Sequence, residues 1–158
     1  MDFHRKVALL IIFGLGAWIA GIIITPLLAA SEGILWQKMA SFMYFFYQPV
    51  CHQLADRSFF LDGFTMTVCA RCFCFYLGGL LVASIYLFRD KIQMWKISIY
   101  SLLITPAVLD FILEKLNLYS NLTGLRLLTG LLLGLAIFHL LLVSLTTATP
   151  TGAKMPTG

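Results

Sequence analysis

Four cysteines fall within the 24 residues from Cys51 to Cys74, and two of them, Cys69 and Cys72, form a C-x-x-C pair. His52 follows Cys51 directly. Thiolate sulfur and imidazole nitrogen are the donors that hold Zn(II), and soft sulfur also suits Cu(I). Two sulfurs at i and i+3 share one face of a helix or knuckle, and a chain reversal returning Cys51 and His52 to them completes a tetrahedron. The candidate metal ligands are therefore Cys51, His52, Cys69 and Cys72, supported by Gln53, Arg57 and Arg71. The same thiols suit redox chemistry. A C-x-x-C cysteine at a helix start beside Arg71 is an acidified nucleophile, so Cys69 attacks, Cys72 resolves and Cys51 serves as a third thiol for exchange. Cys74, two positions past Cys72, falls on another side of a helix and reads as a small packed residue. Packing of all four cysteines, with no ligand, is the plain alternative.

A second group is Asp110 with Arg126. An ionisable residue within a membrane span points to function by default, but here an ion pair locking two helices together is the favoured reading. Arg71 is the alternative partner of Asp110, which would tie the cysteine motif to the bundle. Gly130-x-x-x-Gly134 is a small-residue face that permits close helix approach, and Gly78-Gly79 reads the same way. His139 reads as an interhelical hydrogen-bonding residue, Trp18 as packing, and Trp36 and Trp95 as interfacial anchors.

The elements that must position these groups are set by composition. Of 158 residues, 60% are hydrophobic and 11% charged, against about half and a quarter in soluble domains. Too few charges remain to cover a water-facing surface, so lipid solvates much of the outside. Runs of about 20 apolar residues cross the hydrocarbon core, and four are present: Val7 to Leu28, Cys69 to Phe88, Ile97 to Leu113 and Leu125 to Leu145. In lipid these are helices, because each backbone amide needs an internal partner. The first run has 22 residues, longer than the roughly 7–15 of a secretory signal core, and is read as a retained span.

Residues 34–48 carry Leu35, Met39, Phe42 and Phe46 on one helical face and Gln37, Ser41, Tyr44 and Gln48 on the other. That period predicts an amphipathic interfacial helix, with a short fifth span as the rival. In the loop 49–72, Asp62-Gly63 between β-prone runs predicts a two-residue hairpin, which folds Cys51-His52 back toward Cys69. The expected architecture is an all-α integral membrane protein: one domain over residues 1–145, four spans, one interfacial helix, a hairpin loop and a flexible tail over residues 146–158.

The net charge of +4 is thinly spread and argues for membrane-edge anchoring rather than nucleic acid. With the amino terminus inside, Arg5, Lys6, Arg89, Lys91, Lys96 and Lys154 are cytoplasmic, against Lys38, Arg57, Arg71, Lys115 and Arg126. Setting aside Arg71 and Arg126, which lie within or against spans, the count favours a cell-membrane protein with both termini cytoplasmic and an extracytoplasmic Cys/His loop. Whichever side that is, the cysteines, Asp110 and Arg126 fall at one membrane level.

Pro49-x-Cys51-His52-Gln53, Arg57-Ser58-Phe59-Phe60, Gly63, Val68-Cys69-Ala70-Arg71-Cys72, Tyr76 and Gly78 resemble the signature of small prokaryotic membrane proteins grouped as domain of unknown function 2085. Pro106, Asp110, Asn121, Arg126, Thr129-Gly130 and Gly134 continue the resemblance, which spans about Tyr47 to Gly134. Phe73-Cys74 stands where members often have Thr-Gly, and Phe111 where they often have Gly. Cys74 therefore inherits no role, and the resemblance implies a fold and a site but no activity. A looser architectural similarity is to bacterial quinone-reducing, disulfide-generating enzymes, which are also four-helix bundles; likeness of fold does not imply function. Three readings follow. They are a metal site for Zn or Cu, a thiol–disulfide oxidoreductase coupled to quinone, and a small accessory subunit of a larger membrane complex or homo-oligomer.

Overall fold

The computed structural model describes residues 3–89, 93–116 and 122–147. Its order is α1 (Phe3–Ala30), α2 (Ile34–Tyr47), a 3-10 turn (Ala55–Arg57), β1 (Phe60–Leu61), β2 (Phe64–Thr65), α3 (Ala70–Phe88), α4 (Ile97–Lys115) and α5 (Thr123–Thr147). α1, α3, α4 and α5 are long and apolar enough to cross a membrane, and the chain is an all-α membrane protein. Side chains such as Phe13, Phe88, Ile97 and Leu102 stand outward on these helices, as they must where lipid replaces water. α5 continues through Thr146 and Thr147, expected in the tail, with their hydroxyls donating to the carbonyls of Leu142 and Val143. The rest of that tail lies outside the described residues.

Contact pairs fix the helix directions. Ala8, Ala83 and Leu142 share one cluster near one end of the bundle, and Trp18 meets Tyr76 nearer the other. α1 and α3 are thus antiparallel. Gly130 faces Arg71 and Gly134 faces Phe75, so α3 and α5 run parallel. Tyr100 meets His139 and Asp110 meets Thr129, so α4 and α5 are antiparallel. The α3–α5 seam is the tightest. A Cβ on Gly130 would strike the carbonyl of Arg71, and one on Gly134 that of Phe75, while one on Gly78 would lie 2.9 Å from the Leu135 nitrogen. Because the obstacle is backbone, Gly134→Leu is expected to force the helices apart and lower stability by about 3 kcal/mol, the upper end for overpacking. Thermal unfolding in detergent checks this, with Gly14→Leu, which has open space around it, expected to be near neutral.

α2 turns back beside the second half of α1. Gly33, at φ 133°, makes the reversal. Tyr47 then packs against Trp18 and donates its hydroxyl to the Trp18 carbonyl at 2.9 Å, while Met39 and Lys38 share a groove with Leu28. The axis of α2 therefore follows α1 rather than crossing over it. The buried strip is Ala40, Met43 and Tyr47. Leu35, Met39, Phe42 and Phe46, the face picked out by periodicity, point outward, and α2, at 14 residues, is not among the helices long enough to cross a membrane.

At the end of α2 the chain enters the hairpin loop. Asp62 (φ 49°) and Gly63 (φ 84°) both take positive φ, the conformation of a type I′ turn, and Phe60 pairs with Thr65. Met66 N–H to the Phe59 carbonyl, at 2.8 Å, extends the pairing. Met66 and Val68 are thereby buried against Ile22, Tyr47 and Cys51.

Candidate functional site

The hairpin delivers Cys51 to the start of α3. Cys69 sits immediately before the first residue of α3 and Cys72 lies one turn in, so their sulfurs face the same side. The sulfurs of Cys51, Cys69 and Cys72 all lie within 4.8 Å of one another. All four cysteines are unbridged, and Cys74 stands outside the group. The Cys69 main-chain N–H donates to the Cys51 sulfur at 3.2 Å. Around the three sulfurs pack Trp18, Ile22, Tyr47, Met66, Val68 and Tyr76, an apolar and aromatic nest.

The fourth expected ligand is not there. His52 is exposed and does not belong to the sulfur group. Cys51 is buried, whereas the next residue, His52, faces outward. Gln53 takes φ 53°, and its backbone N–H is among the groups that lower the Cys51 pKa. Its side chain goes elsewhere, donating to the Tyr44 carbonyl at 2.7 Å and fastening the loop to α2. The thiols of Cys69 and Cys72, together with these N–H groups, hold the Cys51 thiol far below its ordinary pKa, the Cys69 thiol having the largest effect. Cys51, rather than Cys69, is thus the most acidified of the loop thiols by hydrogen bonding.

The charged groups form a second assembly on the far side of α3. Arg71 leaves the cysteines and pairs with Asp110 and, at 3.0 Å, with Glu114. Arg126 pairs with Glu114 at 2.8 Å, and Arg57 pairs with Glu114 and with Asp56 at 3.3 Å. Asp110 also accepts from the Thr129 hydroxyl at 3.2 Å. The α4–α5 clamp expected between Asp110 and Arg126 is therefore built through Glu114, and the alternative partner Arg71 takes Asp110. Glu114 is the residue that the sequence pattern did not flag. Its signal was present: it lies four residues after Asp110, on the same face of α4, level with three arginines. By joining Arg57 of the loop, Arg71 of α3 and Arg126 of α5, it fixes the Cys51 segment over the C-x-x-C.

His139 is fully buried, accepts or donates at Nδ1 with the Tyr100 hydroxyl at 2.7 Å, and stacks on Trp95 at 3.8 Å. It is the interhelical contact expected, at the end of the bundle away from the cysteines. Trp95 packs on it instead of standing free as an anchor.

A family model described as "Predicted membrane protein (DUF2085)" matches residues 51–140, which begins at the first site cysteine and covers more than half of the chain. The chain belongs to this family. It is also 34% identical over 110 residues to "Uncharacterized protein MJ1492" of Methanocaldococcus jannaschii, covering 68% of this chain and 70% of that protein. No solved structure matches significantly. Membership supports the membrane bundle and brings no activity with it.

Proposed function

We propose that this DUF2085 protein binds a divalent transition metal, zinc above all, through Cys51, Cys69 and Cys72, with a fourth position open to an exchangeable ligand. The observation that carries this reading is the convergence of three sulfurs within 4.8 Å. Zn–S bonds of ~2.3 Å in a tetrahedron set sulfurs about 3.8 Å apart, a separation that falls inside that limit. The N–H bond from Cys69 to the Cys51 sulfur is the kind of contact that stabilises a thiolate. Charge favours a divalent ion. Three thiolates with M(II) leave one net negative charge in an apolar nest, whereas M(I) leaves two, and buried charge is costly. His52 outside the group matters for function as well. Four protein ligands mark a closed structural site, and three with an open position mark one that can bind water or a substrate.

Metal analysis of detergent-purified protein under reducing conditions tests this, with about one zinc per chain expected. Zinc competes with protons for thiols, so apparent affinity is expected to fall as pH is lowered, and proton release to accompany binding. Affinity independent of pH between 6 and 8, or no bound metal, sinks the reading.

The second reading, a thiol–disulfide oxidoreductase, is favoured by the placement of Cys51 within exchange distance of both C-x-x-C sulfurs. It requires a two-electron acceptor such as a quinone. Counting thiols with and without reductant separates the two, since a reversible disulfide without metal supports redox chemistry. A membrane-impermeant maleimide used on intact cells also checks the lysine and arginine argument that this end of the bundle is extracytoplasmic. An accessory role in a larger complex gains if neither metal nor disulfide is found.

A further inference from the structure

The antiparallel packing of α2 on α1 leaves a groove of about 530 Å³ between Gly21, Ile24 and Leu28 on one side and Met39, Phe42 and Met43 on the other, with Lys38 lining it too. Register places Lys38 beside Leu28, near the end of α1, and Met43 beside Gly21, deeper in the bundle. From Gly21 to Leu28 the groove runs about 10 Å along a helix that crosses the membrane. Its direction is therefore that of an acyl chain, and its one cation stands where a headgroup would be. Lys38 also differs from the other cations at this end. Arg57, Arg71 and Arg126 pair with Glu114, and Lys115 lies over the Phe111 ring at 6.0 Å. Lys38 takes part in no ion pair among the described residues, and Glu32 in the preceding turn makes none with it.

We propose that this groove is a binding site for an acidic phospholipid of the surrounding membrane, one acyl chain lying between α1 and α2 and the phosphate meeting the Lys38 ammonium. Apolar walls alone would take any lipid. The unpaired ammonium at the membrane level of headgroups supplies the preference for negative charge, while its methylene stem covers the upper wall. The site does not involve the cysteines, so it stands or falls separately from the metal reading.

The test is native mass spectrometry of the full chain in detergent with equal dioleoyl-phosphatidylglycerol and dioleoyl-phosphatidylcholine. The wild type is expected to retain one lipid, with phosphatidylglycerol favoured about fivefold, the effect of one lysine near a lipid surface. Lys38→Glu, an exposed change, is expected to erase that preference while a lipid is still retained. Ile24→Trp, which fills the groove from its half-exposed wall, is expected to abolish retention, and Leu28→Trp provides a second filling variant should the first fold poorly. Lys115→Glu is expected to leave the preference unchanged. Retention that survives both filling variants overturns the proposal, as does an unchanged preference in Lys38→Glu. A dimer in the wild type that Ile24→Trp dissociates would assign the groove to a second copy and overturn it too.

Discussion

Cys69→Ser is expected to abolish zinc binding at the proposed three-sulfur site. A side chain that merely orients a ligand is worth 10–100-fold in affinity, so loss of one of only three sulfur donors should cost more than about a hundredfold. Zinc content should then fall to background after dialysis against a weak chelator. Cys51→Ser and Cys72→Ser should behave alike, because all three sulfurs belong to one group. His52→Ala and Cys74→Ser should retain metal, since His52 is exposed and Cys74 stands apart. That contrast is the sharper half of the experiment. A closed four-ligand site would lose metal in His52→Ala, and simple misfolding would not discriminate between Cys72 and Cys74, two residues apart on one helix. Loss of metal should also lower the unfolding temperature of the wild type, as binding to the folded chain adds directly to its stability.

Glu114→Ala is expected to produce the largest loss of stability of any single change outside the glycine seam. The carboxylate holds Arg57, Arg71 and Arg126 together. Its removal leaves like charges facing one another, two of them on helices that cross the membrane. Breaking a buried pair from one side costs about 3–5 kcal/mol. The side chain of Arg57 is 37% exposed and can turn to water, so the lower end, about 3 kcal/mol, is expected here. For a chain of this size that corresponds to a drop of about 10 °C in the unfolding temperature. Glu114→Gln keeps hydrogen-bond acceptance but not charge and should fall between. Metal affinity should weaken alongside in Glu114→Ala, since the Arg57 contact anchors the loop that carries Cys51. An unfolding temperature within a degree or two of wild type would show that solvent or lipid phosphate replaces the carboxylate.

The transmembrane helices were legible because lipid imposes a one-dimensional rule: a segment must be long enough, apolar enough and internally hydrogen-bonded, and each condition can be read along the chain. The hairpin was legible for an equally local reason, since Asp62-Gly63 supplies the two positive φ angles of its turn. From those two facts the meeting of Cys51 with Cys69 and Cys72 followed. What local reasoning misjudged were directions. Cys51 and His52 are neighbours in sequence, but Cys51 is buried against Tyr47 and Met66 whereas His52 faces outward. Periodicity put Leu35, Met39, Phe42 and Phe46 on one face of α2, yet only the Tyr47–Trp18 contact shows that α2 lies along α1, with Ala40, Met43 and Tyr47 turned inward.

Hydrophobic length and turn chemistry act over neighbouring residues, so the order of amino acids was enough for a membrane bundle with three thiols in one short region. The partners of the charges emerge only once the helices have packed. Arg57, Arg71, Asp110, Glu114 and Arg126 come from four separate elements, and ion pairing depends on distances across helices that no spacing within a single segment encodes. Glu114 became the centre of that assembly because helix packing set it between three guanidinium groups, where desolvation makes an unpaired charge costly.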